Sequence, residues 1–184
     1  MLIFLVFFLI VILIILIIFS FPKFSPIPYF PSNIKDIKLI LKALDLKNDQ
    51  TIVDLGAGGG LVIFEAAKKA YEQKINTQFI AVELNPILIL SLHLKRFFHK
   101  NRENIEIIYD DMFKMKSLIR NSQLSNGPIV FYLYISPWFL NKVINQIKKT
   151  VKKFTVVSYF YEIKGEKYIK KSEGKHNVYV YRFG

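Results

Sequence analysis

A chain of 184 residues, 52% of them hydrophobic, is long enough for one domain with a core of its own. It has no cysteine, which excludes disulfides and thiolate metal sites, and its 26 Lys and Arg against 14 Asp and Glu give a net charge of +12. Such a charge suits an anionic membrane surface or a nucleic acid; with only four arginines and no basic patch interleaved with aromatics, the membrane is favoured and no nucleic acid is expected.

Residues 1–21 carry no charge, and Ser20 is their only polar side chain. About 20 residues at ~1.5 Å each cross the ~30 Å hydrocarbon core. A cleaved signal peptide would show a basic start, a shorter apolar run and a small-residue cleavage site. None is present, so residues 1–21 read as an uncleaved transmembrane helix. No Lys or Arg precedes it, whereas Lys23, Lys35 and Lys38 follow closely. The positive-inside rule makes this a single-pass membrane protein, N-terminus out, with the remainder cytoplasmic. Residues 22–32 hold Pro22, Pro26, Pro28 and Pro31, a stiff extended connector. Residues 33–184 form the domain.

Ser32 or Asn33 is placed to cap a helix whose apolar positions Ile34, Ile37, Leu41 and Leu44 recur at helical spacing. Strand and helix then alternate. Strands are expected over 51–55, 78–83, 105–109, 129–135 and 154–161, and helices over 61–74, 86–99 and 137–149. Pro86 and Pro137 stand at first helical turns. Ala66, Ala67 and Ala70 let the 61–74 helix pack closely, and Asn126-Gly127 marks a turn. Segments 166–171 and 177–183 around Gly174 read as a terminal hairpin. The fold class is therefore α/β, a Rossmann-like open and mostly parallel sheet with helices on both faces and an antiparallel C-terminal hairpin.

The most informative stretch is 51–60, an apolar strand bearing Asp54 that breaks into Gly56, Gly58, Gly59 and Gly60 ahead of a helix. Glycines admit positive φ and close approach of a ligand, and the helix start supplies backbone N–H groups. Ligands of such sheets bind at the carboxyl ends of strands. There the chain puts Asp54, Glu83, and Asp110 with Asp111. A dinucleotide fingerprint would need a third glycine at 61 or 63, where Leu61 and Ile63 stand, and no Gly-Lys-Ser/Thr makes a P-loop. Either Asp110 or Asp111 also suits a plain turn-capping role.

The spacing Asp54, Gly56, Gly58, Gly60, followed by Glu83 and Asp111-Met112-Phe113, resembles the class I S-adenosylmethionine-dependent methyltransferases. The resemblance implies S-adenosylmethionine as cofactor. It gives Asp54, Gly56, Ala57, Gly58 and Gly60 to the cofactor's methionine side, Glu83 to the ribose hydroxyls, and Asp111 with Phe113 to adenine.

Methyl transfer from a sulfonium needs a positioned neutral nucleophile and no metal, and His93, His99 and His176 form no ligand cluster in sequence. The segment after the fourth strand, Tyr134-Ile135-Ser136-Pro137-Trp138, lacks the Asn/Asp-Pro-Pro-Tyr/Phe found in enzymes that methylate amide or adenine nitrogens. Tyr132, Tyr134 and Trp138 instead offer an aromatic slot for an aliphatic amine, with core packing the competing role of Tyr132. A narrower resemblance agrees. Pro28-Tyr29-Phe30-Pro31-Ser32, Glu83-Leu84-Asn85-Pro86, Tyr132-Leu133-Tyr134 and 156–160 are similar to small membrane-anchored protein-lysine methyltransferases, those of the ATP-synthase c-subunit and the adenine nucleotide translocase, and archaeal relatives. That resemblance brings Tyr29 and Ser32 to the site as cover over the cofactor. It departs at Gly58-Gly59-Gly60-Leu61, where those enzymes carry Gly-Asp-Gly-Arg. The expected function is methylation of a lysine on a membrane-associated protein; a lipid or small membrane-soluble amine, and an inactive cofactor-binding module, are the alternatives.

Overall fold

The computed structural model describes residues 1–21, 30–114 and 127–184. Helix α1 (Leu2–Ser20) is apolar throughout and long enough, at about 28 Å, to cross a membrane, and none of its side chains is buried. A 3-10 turn (Ile34–Asp36) leads into α2 (Ile37–Leu44). Then follow β1 (Gln50–Leu55), α3 (Leu61–Glu72), β2 (Thr77–Glu83), α4 (Pro86–Phe98), β3 (Ile105–Tyr109), β4 (Ile129–Leu133), α5 (Pro137–Thr150), β5 (Phe154–Tyr159), β6 (Lys170–Ser172) and β7 (Val178–Phe183). The Pro-rich connector, with Tyr29 and Asn126, lies outside the described residues except for its last three positions.

The seven strands stand in the order β3-β2-β1-β4-β5-β7-β6. β1 to β5 are parallel, and β7 runs antiparallel to both β5 and β6. This is the expected α/β sheet, with the expected antiparallel C-terminal pair. Alternation sends Ile52 and Val130 to one face and Val53 and Phe131 to the other. The first face packs on α2 and α3, where Ala66, Ala67 and Ala70 are fully buried, and on Leu92 of α4. The second packs on Leu140, Val143, Ile144 and Ile147 of α5.

The chain moves outward from β1 to β2 and β3, then returns to lay β4 on the other side of β1. That reversal leaves a crevice at the carboxyl ends of β1 and β4, where open α/β sheets bind ligands. Three expected strands are shorter than their patterns, β5 by ending at Tyr159. β4 ends at Leu133, because Ser136 and Pro137 begin α5. The segment 166–171 contributes only Lys170–Ser172, since Lys170 and Lys171 are exposed at the sheet's edge.

One buried acid ties the ends of the domain together. Asp36 accepts from the Tyr159 hydroxyl at 2.7 Å and from the amides of Lys175 and His176 at 2.7 and 2.9 Å. Burial pushes its carboxyl up, and the bonds from Tyr159, Lys175 and His176 outweigh burial, so its pKa lies below the usual carboxylate range. Gly174 lets the hairpin loop come this close, because a Cβ there would strike the Asp36 carboxylate and Leu39. Replacing Asp36 with Ala leaves the buried Tyr159 hydroxyl and two partly buried amides without their acceptor and is expected to cost about 3 kcal/mol, measured by urea denaturation; the loss should shrink as pH falls below the usual Asp range, where wild type loses the same bonds.

Candidate active site

The crevice is built from the β1–α3 loop. Gly56 and Ala57 donate their amides to Val82 O at 2.9 Å, and Gly60 donates to Ala57 O at 2.8 Å, folding 57–60 into a tight turn. Gly56, Gly58 and Gly60 have φ of 85°, 56° and 76°. At Gly60 a Cβ would stand 2.5 Å from Leu92 Cδ2 and 2.6 Å from Phe64, so its absence lets α4 pack against the loop. At Gly56 a Cβ would stand 2.8 Å from Met112 Cε. The Gly59 carbonyl accepts from Lys95 Nζ at 2.6 Å, so α4 provides a cation to a loop whose own position 61 is leucine.

Glu83, at the end of β2, closes the loop. One carboxylate oxygen accepts from the Gly58 amide at 2.7 Å, and the other from the amides of Leu84 and Asn85 at 2.8 and 2.9 Å. Asn85 caps α4 through its side-chain oxygen, which accepts from Ile87 and Leu88, while its buried Nδ2 has no hydrogen-bond partner.

A cavity at the mouth of the crevice is lined by Phe30, Pro31 and Ser32, by Asp54, by Gly56 to Gly59 with Leu61 and Val62 but not Gly60, and by Tyr132 and Tyr134. Register explains the pairing of its two buried polar groups: Asp54 of β1 stands opposite Tyr132 of β4. Burial pushes the Asp54 carboxyl up to about 8, helped by the charge of Glu83. The Tyr132 hydroxyl shares a 2.8 Å hydrogen bond with Ser32, and burial raises its pKa well above the ordinary value. Through that bond the segment 30–32 lies across the cavity, leaving about 30 Å³, the room of one water.

Seven of the residues expected at the site therefore line this cavity: Ser32, Asp54, Gly56, Ala57, Gly58, Tyr132 and Tyr134. Others stand nearby without lining it. Asp110 and Asp111 both serve their own turn, Asp110 accepting from Asp111 N at 2.7 Å and Asp111 from Phe113 N at 2.9 Å. The Phe113 ring points to α5, 5.6 Å from Phe139 and under Lys142. Met112, rather than Phe113, reaches the glycine loop. Trp138 stands in the first turn of α5, 82% exposed, and does not line the cavity with Tyr132 and Tyr134.

Behind Tyr134 stands an aromatic cluster at the end of β5. Tyr134 packs edge-on against Tyr159, with ring centroids 4.9 Å apart, and its pKa is raised by burial and by Tyr161. Phe160 adjoins both Tyr161 and His176, at 4.5 and 4.2 Å. Its φ of 74° is a conformation bulky side chains avoid. The turn is held by Phe160 N donating to Asn177 O and by the Ser158 hydroxyl donating to Tyr161 O at 2.6 Å. The sequence signals for this cluster were the resemblance carried by residues 156–160 and their position at the carboxyl end of a parallel strand. Among the described residues no group of three His, Cys, Asp or Glu is gathered to hold a metal.

The profile of the family described as PRMT5 arginine-N-methyltransferase matches residues 32–125, from the cover over the cavity through the glycine loop to Asp111 and beyond. The chain belongs to that family. It is thus a class I S-adenosylmethionine-dependent methyltransferase by fold and family, as the motifs implied. A curated relative, the probable ribosomal RNA small subunit methyltransferase A of Methanosphaera stadtmanae, is 33% identical over 92 residues. That stretch is 50% of this chain and 31% of the relative, so the match spans less than a third of the relative's length. Among solved structures, an RNA methyltransferase of Salinibacter ruber with S-adenosyl-L-homocysteine superposes with a TM-score of 0.64 at 17% identity, over 84% of this chain and 92% of that one. The N-terminal domain of human METTL16, also with that product, gives 0.59 at 10%, over 85% and 70%. The C-terminal domain of precorrin-6Y C5,15-methyltransferase of Rhodobacter capsulatus gives 0.58 at 10%, over 88% and 95%. At these identities the solved structures share the fold. The names of the RNA-acting relatives do not fit the expectation that nucleic acid is no partner, and none names a lysine.

Asp54 should register in stability. It holds its proton up to about pH 8 when folded and only to the ordinary carboxylate value of 3.8 when unfolded, so the folded state binds more protons between the two and stability falls as pH rises through that window. Asp54→Asn removes the effect: the ligand-free variant should melt higher than wild type at pH 7–8 and equally at pH below about 4, by calorimetry across pH.

Proposed function

We propose that this protein transfers a methyl group from S-adenosylmethionine to the amine of a lysine on a membrane-associated protein. The observation carrying the acceptor is Tyr134, which lines the cavity with the glycine loop and stacks edge-on against Tyr159 in an aromatic cluster that Phe160 and Tyr161 extend. Such a cluster sheds water from an aliphatic amine, favours its neutral form and shelters the cation formed on methylation. A guanidinium stays charged and calls for a carboxylate fork; the one acid lining the cavity, Asp54, is buried and protonated at neutral pH. The family match ends at residue 125, before β4 and β5 supply this cluster.

The residues present fit the cofactor in chemistry. Among the described residues Asn85 Nδ2, next to Glu83, has no hydrogen-bond partner, and Gly56 and Gly58 line the cavity together with the buried acid Asp54. S-adenosylmethionine supplies an electrophilic methyl on a sulfonium; the C–S electron pair stays on sulfur as the N–C bond forms, and the amine then sheds a proton. In this reading Glu83 accepts ribose hydroxyls, Asp54 faces the cationic end, and Asp111 with Phe113 borders the adenine. Ser32 and Tyr132 release the cover to admit the cofactor, and Tyr29 joins that cover. Tyr134 and Phe160 hold the acceptor.

An RNA acceptor is the second reading, favoured by the 33% identity to a protein named for ribosomal RNA and by the charge of +12.

Calorimetry with S-adenosylmethionine tests the cofactor reading: wild type should bind, and Glu83→Ala should weaken binding by at least tenfold, about 1.4 kcal/mol. Labelled cofactor with membranes and total RNA then assigns the acceptor. Label recovered as methyl-lysine is the expected result; methyl-arginine, label in RNA, or label extracting with lipid would each overturn lysine. Phe160→Gly should keep cofactor affinity and fold stability, because glycine relieves the positive φ, while raising the acceptor KM roughly tenfold through the loss of about 1.4 kcal/mol of aromatic contact.

A further inference from the structure

Helix α4 turns an apolar stripe outward. Leu90, Leu94, Phe97 and Phe98 recur at i, i+4, i+7 and i+8, so they share one face, and each is between 62 and 76% exposed. In a surface helix that stripe ordinarily faces the core, yet only Leu92 of α4 is buried. The stripe continues onto α3. Phe98 and Tyr71 line one groove of about 650 Å³, and Phe64, Leu94 and Phe98 line a second of about 560 Å³. Contiguous exposed apolar surface of this kind marks a contact site.

Its rim is basic. Lys68, Lys74, Lys95 and Lys100 border the two grooves, against Glu65 and Glu72. An apolar face of Leu and Phe flanked by lysines is the composition of a helix lying in a bilayer interface, where the basic groups meet anionic headgroups. Two further facts select a lipid surface over other occupants. α1, apolar and unburied, runs beside α4. The eleven residues 22–32 span at most about 40 Å, close to the domain's own diameter of about 40 Å from its radius of gyration, so the domain cannot leave the membrane that α1 enters.

We infer that the outward face of α4 docks into the headgroup layer of an anionic bilayer, with Leu90, Leu94, Phe97 and Phe98 below the phosphates and the lysines at their level. This rests on reading α1 as a membrane span. It is a contact of the domain itself, additional to the anchor, and it fixes which side of the domain faces the lipid.

The absence of cysteine makes the test direct. Leu94→Cys, Phe98→Cys and, as an aqueous control, Lys164→Cys are introduced singly into the full chain, spin-labelled and reconstituted into phosphatidylcholine vesicles with and without phosphatidylglycerol. Thermal melts verify that each variant is folded. Labels at 94 and 98 should collide with oxygen several-fold more, and with a water-soluble nickel chelate several-fold less, than the label at 164, and the difference should shrink without phosphatidylglycerol. Labels at 94 and 98 as aqueous as that at 164, in a chain that resists alkaline carbonate, overturn the docked face and leave the anchor standing. Release of the full chain by carbonate overturns the anchor and the inference together. Dipolar broadening between copies labelled at 94 overturns it in favour of a second copy of the chain.

Discussion

The cofactor end of this molecule depends on one carboxylate accepting three amide hydrogens. Glu83 gathers the amides of Gly58, Leu84 and Asn85, joining the loop after β1 to the loop after β2. Charge-assisted bonds to backbone donors are among the stronger hydrogen bonds a protein makes, and here they set the spacing of two helices. α3 begins where the glycine turn ends, and α4 begins three residues beyond Glu83 under the Asn85 cap. A carboxylate has about four lone-pair sites, and three are taken by amides. A ligand hydroxyl arriving at Glu83 therefore meets an acid already oriented by the protein, and must share it with Gly58.

The opposite wall of the crevice follows a different logic, that of a low dielectric. Asp54 and Tyr132 face each other across a strand pair with almost no water. Both are driven towards their neutral forms, Asp54 by burial and by Glu83, Tyr132 chiefly by burial. A buried acid held neutral costs less than a buried charge, and the arrival of a cation reverses that preference. Glu83 and Asp54 are thus two acids of opposite habit in one site, one held in place by donors and the other silenced by its surroundings.

Much of this was legible in the chain. Alternation of apolar runs and helical spacing predicted the order of strands and helices, because each buries a face of one sheet and its period shows. Asn85-Pro86 announced the start of α4, and the glycine spacing announced the turn that Leu92 and Phe64 require. What stayed hidden depends on tertiary direction. Trp138 follows β4 as a slot residue should, but the first turn of α5 points it into solvent. Asp36 looks like any helix-start acid until the hairpin closes on it from about 140 residues away in sequence. Phe160 carries no marker of positive φ, since glycine or asparagine would normally occupy such a turn. Ser32 and Asn33 suit a cap equally in sequence; Asn33 does the capping and Ser32 spends its hydroxyl on Tyr132.

The segment 30–32 has a double allegiance. On one side it continues into the 3-10 turn that Asp36 clamps to the C-terminal hairpin, so its downstream end is immobilised. On the other it is the last stretch of the chain leading back to α1, and it roofs the cavity through a single hydroxyl pair. Leash and roof are one piece of polypeptide. The roof of the cavity is thus the part of the domain nearest in sequence to α1, and it meets the sheet at the Ser32–Tyr132 hydroxyl pair.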